Sequence, residues 1–193
     1  LPLINNLTVK NAIGSIILAP TRELAIQVHD ELVKLAKYEK LNVVAVYGGA
    51  PIHNQIRDIK RANIVVGTPG RVLDHIRRGT LPLDSVEFLV LDEADEMLNM
   101  GFIDDMEEIM KSIPEERQTL LFSATMPAQI KKLTKKYLKE DSVHIVIARK
   151  ELTGSTITQN FFEVNNSERF ETLCRLIDFD NPSAGIIFCK TKK

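Results

Sequence analysis

The 193 residues are 44% hydrophobic and 26% charged, with a formal net charge of −1, a composition that suits a globular protein with a sizeable core, as one large domain or one domain and part of another. Near-neutrality excludes a bulk positive field that gathers polyanions from a distance, so any nucleic-acid binding must come from local geometry. No stretch is long and apolar enough to span a bilayer, there is no low-complexity tract or fixed-period repeat, and the first residues do not read as a secretory leader. The only cysteines, Cys174 and Cys189, lack metal-type spacing and read as thiols of a reducing compartment. The expectation is an intracellular, cytoplasmic protein without a membrane partner.

Leu1 to Asn11 reads as the end of a preceding segment, with Asn5-Asn6 as a turn. Ser15 to Ala19 predicts a short buried strand. Thr21 to Tyr38 then carries Leu24, Ala25, Val28, Leu32, Leu35 and Ala36 at helical spacing, an amphipathic helix. Val43 to Tyr47 is the next strand, followed by Gly48-Gly49 and a helix from Pro51 to Arg61, where proline suits the first turn. Asn63 to Gly67 predicts a strand and Pro69 to Arg78 a helix. Val86, Phe88, Leu89, Val90 and Leu91 predict a strand buried on both faces, since period-two alternation is lost. A helix near Ile103 to Ser112, a strand from Thr119 to Phe122 and a helix from Pro127 to Leu138 follow. This alternation with short connections predicts the α/β class, a parallel sheet with helices on both faces, because each parallel strand needs a crossover.

After Val143 to Ala148 the pattern breaks. Residues 149–156 are mostly polar, contain Gly154 and have no apolar period, as expected of an interdomain linker between residues 1–148 and residues 157–193. Beyond it, Ile157 to Val164 predicts a strand, Glu168 to Phe179 a helix and Ala184 to Cys189 a strand, a second domain begun.

The densest chemistry lies where the apolar run 86–91 stops at Asp92-Glu93-Ala94-Asp95. In an open α/β sheet the carboxyl ends of strands are where ligands bind. From that mount Asp92 and Glu93 can hold a divalent cation with one carboxylate and orient or deprotonate water with the other. Acids are also common in a first helical turn, where they offset the positive end of the dipole, and on the tetrapeptide alone both readings stand.

Four other strings accompany it in order: Pro20-Thr21-Arg22-Glu23-Leu24, Gly48-Gly49, Thr68-Pro69-Gly70-Arg71 and Ser123-Ala124-Thr125, each at a strand-to-helix junction. Together the set resembles the DEAD-box ATP-dependent RNA helicases of superfamily 2. Ile186-Ile187-Phe188-Cys189-Lys190-Thr191 resembles the first motif of that family's second domain, and Asp92 to Phe102 is closer in style to bacterial or archaeal members than to splicing factors. The resemblance implies a RecA-like first domain, most of which is present, and the start of a second. It implies ATP and Mg²⁺ as cofactors and RNA as partner, with RNA-stimulated ATP hydrolysis coupled to local duplex unwinding. In those terms Asp92 binds Mg²⁺ largely through water, Glu93 polarises the attacking water, and Asp95 hydrogen-bonds the Ser123-Ala124-Thr125 loop, whose hydroxyls couple the nucleotide site to the rest of the protein. An isolated Ser-Ala-Thr would read instead as capping ahead of Pro127.

The RNA-facing candidates are Pro20, Thr21, Arg22, Gly48, Gly49, Thr68, Pro69, Gly70 and Arg71. Helix starts offer free N–H groups to phosphates, and glycine lets a backbone approach. Arg22 and Arg71 add charge there, or pair structurally with Glu23 and Asp74. No aromatic platform is evident, so the implied readout is of backbone without sequence. His29, His53, His75 and His144 are scattered and receive no role.

No G-x-x-x-x-G-K-[ST] phosphate loop occurs in the 193 residues. In the family that loop lies just upstream of Leu1, on a strand expected beside the acidic one, so the stretch alone is expected to be inactive and aggregation-prone. A binding or regulatory module that keeps the RNA surface without ATPase chemistry is the alternative.

Overall fold

The structure is a computed structural model that describes residues 2–9, 11–147, 158 and 160–189. It divides into two units, Leu1–Val143 and His144–Lys193.

In the first unit, strands β1 (Ser15–Leu18), β2 (Val43–Val46), β3 (Ile64–Gly67), β4 (Phe88–Leu91) and β5 (Gln118–Leu121) form one parallel sheet in the order β2-β3-β1-β4-β5. The register aligns Val46, Gly67, Leu18, Leu91 and Leu121 in a single row across it. Every element of β1, β3 and β4 is buried, which is why these strands read as unbroken apolar runs.

Alternate residues of the strands feed two cores. One face, through Ile16, Leu18, Val65, Leu89 and Leu91, packs with Leu73 of α4 (Pro69–Arg77), Met97 of α5 (Ala94–Asn99), Met106 and Ile109 of α6 (Ile103–Lys111) and Leu133 of α7 (Ala128–Tyr137). The other, through Ile17, Ile64, Val66, Phe88 and Val90, lies under α1 (Pro2–Asn6) and α2 (Arg22–Ala36). The remaining crossover helix is α3 (Ile52–Ile59), which brings Ile59 into the first core. Helices thus cover both faces, as a parallel sheet requires.

Two expectations for this unit are corrected. Residues 2–6 are helical, with no turn at Asn5-Asn6: Leu3, Ile4 and Leu7 bury together against the sheet while both asparagines stay exposed, so tertiary packing overrides the local asparagine signal. The acidic strand β4 is hydrogen-bonded on both sides, by β1 and β5, so no further strand fits beside it. The open edges of the sheet are β2 and β5, and at β5 Leu120 and Leu121 are only partly buried and Phe122 is 55% exposed.

In the second unit, α8 (Arg169–Asp180) forms as the periodicity predicts. The strands expected at Ile157 to Val164 and Ala184 to Cys189 are not strands over the described residues, and Phe161, Phe162, Ile186 and Phe188 are exposed. A lone pair of strands lacks the neighbours that stabilise a sheet. Ile157, Gln159 and the expected linker 149–156 lie outside the described residues.

Candidate functional site

The aligned strand ends deliver the chemistry-bearing residues to one edge of the sheet. From β1 the chain steps outward to β2 and back to β3, then crosses to β4 and β5, so the switch point lies between β1 and β4. Asp92 leaves the sheet there. Its amide donates to the Leu18 carbonyl at 2.9 Å, and its half-buried carboxyl is pushed up by burial, against a smaller opposing hydrogen bond from the Glu93 backbone.

Glu93 has φ 49° and ψ 53°, a left-handed conformation that costs a residue with a side chain about 1–2 kcal/mol. Its neighbours hold it there: Asp92 is tied to β1, and the Ala94 amide donates to the Phe122 carbonyl at 3.0 Å, beyond the end of β5. The Glu93 side chain is exposed and makes no capping hydrogen bond. Glu93 is thus the N-cap residue of α5 by position, without a side-chain cap bond, and strain held in place from both sides is the kind that concentrates at functional sites.

Asp95, in the first turn of α5, faces the loop after β5. Its Oδ2 accepts from the Thr125 amide at 2.8 Å and from the Thr125 hydroxyl at 2.7 Å, and its Oδ1 accepts from the Ala124 amide at 3.4 Å. Its own amide donates to Ser123 Oγ at 3.2 Å, and Ser123 Oγ donates to the Thr125 carbonyl at 2.6 Å. Burial alone raises the Asp95 carboxyl, but the hydrogen bonds it accepts from the Thr125 hydroxyl and the loop amides help to hold the group below its ordinary range. Ser123 and Thr125 do not cap α7, whose N-cap is Pro127.

The other half of the edge, beyond β1, collects the remaining motif residues. Thr21 caps α2, its Oγ1 accepting from the Leu24 amide at 3.2 Å, whereas Thr68 begins α4 with Pro69 at the first turn and no side-chain cap. Arg22 is exposed and stacks its guanidinium 4.8 Å from the Tyr47 ring centroid; Glu23 is not its partner. Gly49 has φ +80°, which favours glycine, while Gly48 and Gly70 meet no steric need for it. Arg71 lies 4.0 Å from Asp74 but donates from Nη1 to the Ala50 carbonyl at 3.0 Å and to Gln55 Oε1 at 3.1 Å. The structure thus brings Pro20 to Arg22, Gly48-Gly49 and Thr68 to Arg71 onto one half of the edge, and Asp92, Glu93, Asp95, Ser123 and Thr125 onto the other. Sequence reasoning missed Tyr47, Gln55 and His75; the one available signal was a glutamine on the apolar stripe of α3, between Ile52 and Ile59.

Sheet order, switch-point acids and hydroxyl loop define a RecA-like α/β domain. The DEAD/DEAH box helicase family model matches residues 1–133, and the chain belongs to that family. It is 53% identical along its whole length to the ATP-dependent RNA helicase CshA of Listeria monocytogenes and 49% identical to the DEAD-box ATP-dependent RNA helicase CshA of Bacillus subtilis. It spans only 37% and 39% of those relatives. Among solved structures, a DEAD box protein from the hyperthermophile Methanococcus jannaschii superposes with TM-score 0.72 at 52% identity, over 91% of this chain and 47% of that one.

Two outcomes follow for this edge. Glu93→Gly relieves about 1–2 kcal/mol of left-handed cost but adds about 0.5–1 kcal/mol of unfolded-state entropy, so it should be more stable than Glu93→Ala in urea unfolding; equal midpoints would deny the strain. Because Asp95 titrates below its unfolded value, its stabilisation is full above the ordinary carboxylate range and is lost as pH falls through the folded value. The stability gap between wild type and Asp95→Asn should therefore narrow in acid, and a gap independent of pH would remove the ionised carboxylate from the clasp.

Proposed function

We propose that this chain works within a cytoplasmic ATP-dependent RNA helicase, in which RNA-stimulated ATP hydrolysis is coupled to local opening of a duplex. The observation that carries the reading is the strained acidic turn: Glu93 held left-handed and exposed between a half-buried Asp92 and an Asp95 bonded to the next strand's loop. Residues 1–148 serve as the first RecA-like domain, 149–156 as linker and 157–193 as the start of the second.

The donor set fits Mg²⁺, an ion that keeps most of its waters and takes one or two carboxylates. Asp92 offers one such carboxylate, and no cluster of three or more ligating side chains occurs among the described residues. Bound ATP supplies the terminal phosphate that is cleaved. The 193 residues hold no G-x-x-x-x-G-K-[ST] cradle for its phosphates, so within this chain only the cation and water functions are assigned. Glu93 positions the attacking water and draws off its proton. Asp95, through Ser123 and Thr125, couples the turn to the loop after β5.

RNA is taken on the other half of the edge through its backbone, without sequence preference. Pro20, Thr21, Arg22, Gly48, Gly49, Thr68, Pro69, Gly70 and Arg71 form that face, with helix starts offering N–H groups. The free thiols of Cys174 and Cys189 suit a reducing cytoplasm.

In the full-length protein, Glu93→Gln should leave ATP and RNA binding near wild type and lower turnover by roughly 10²-fold or more, measured as RNA-stimulated phosphate release. Near-normal turnover would return Glu93 to a structural role. Residues 1–193 purified alone should release no phosphate and give no heat on titration with Mg-ATP. Tight binding would mean that a phosphate site is built from residues here assigned to RNA.

A further inference from the structure

Behind the Gly48-Gly49 turn lies a buried polar network. Gln55, 6% exposed, donates from Nε2 to the Tyr47 carbonyl at 3.0 Å. That bond fixes the orientation of the amide, so Oε1 must accept both Arg71 Nη1 at 3.1 Å and His75 Nε2 at 3.0 Å. His75, fully buried, is thereby held as the tautomer protonated on Nε2, and its Nδ1 faces Thr80 Oγ1 at 2.8 Å. Burial and, after it, the Arg71 charge lower its titration, which keeps it neutral. Arg71 completes the clamp by donating to the Ala50 carbonyl at 3.0 Å.

The carbonyls of Tyr47 and Ala50 flank the two glycines, and both are pinned from below. Arg71 directs Nη1 to both the Ala50 carbonyl and Gln55 Oε1, its Nε lies 4.0 Å from Asp74, and its side chain is only 17% exposed. Arg22 differs: it is exposed above the Tyr47 ring. With Nη1 engaged inward and the side chain mostly buried, the Arg71 guanidinium offers little surface to a phosphate, whereas a turn clamped at both ends presents its amides in one geometry.

We propose that Gln55 is a positioning residue of the RNA face, held in register by His75, and that Arg71 acts on RNA through the Tyr47–Ala50 turn it braces, without pairing to a phosphate. This rests on the RNA reading above. The two roles of an arginine separate in salt dependence. A lost phosphate contact lowers the log–log slope of affinity against salt by about 0.7 for single strands, while a misplaced turn weakens binding at all salt concentrations alike.

The test is anisotropy of a short fluorescein-labelled oligouridine with the full-length protein over a salt series, with Mg-ATP affinity as the check on folding. Gln55→Leu and Arg71→Ala should each weaken RNA binding about 10-fold with the wild-type slope and wild-type ATP affinity. Arg71→Lys, which keeps the charge and lacks the fork, should be as weak as Arg71→Ala. Arg22→Ala should lower the slope by about 0.7. The proposal is overturned if Arg71→Lys retains wild-type affinity while Arg71→Ala lowers the slope, or if Gln55→Leu binds as wild type. Wild-type protein that fails to bind the oligonucleotide would instead overturn the RNA reading, and this inference with it.

Discussion

Five parallel strands in one register end in one row, and each functional element of the chain hangs from that row. Parallel pairing forces every strand to be followed by a crossover, so every strand end becomes a loop and then a helix start on the same side of the sheet. Burial on both faces makes the row rigid, because sliding one strand by a residue would exchange the two cores. The motif residues inherit their spacing from this lattice.

The row also divides by residue type. The crossover from β3 to β4 separates three strands that end in glycines, threonines and arginines from two that end in acids and hydroxyls. The halves are joined at the divide, where the Asp92 amide bonds the last residue of β1 and the Ala94 amide bonds the residue after β5. The left-handed Glu93 sits between those bonds, so a shift of either neighbouring strand end bears on its backbone directly.

Much of this was legible in the residues. Period and burial identified every strand of the first unit within two residues, and the motif strings marked the strand ends that matter. Strand order was not legible: an apolar run such as Phe88–Leu91 reports that both faces are covered and is silent on which strands lie beside it, and so the neighbours of the acidic strand were misplaced. Residues 2–6 were missed because Asn5 and Asn6 signal a turn locally while Leu3, Ile4 and Leu7 answer to a distant surface. The Gln55, His75 and Arg71 network escaped because its members are 16 and 20 residues apart and meet only once α3 and α4 flank the same turn.

Gly67 closes β3 immediately before Thr68, and a Cβ there would stand 2.5 Å from both a side-chain carbon and the carbonyl oxygen of Val46 and 2.7 Å from Val72 of α4. Strand, neighbouring strand and helix therefore meet with no clearance at the point where α4 begins. The start of α4 is therefore seated directly on the ends of β2 and β3, through Val72 against the Gly67 backbone, with no room for even a methyl group.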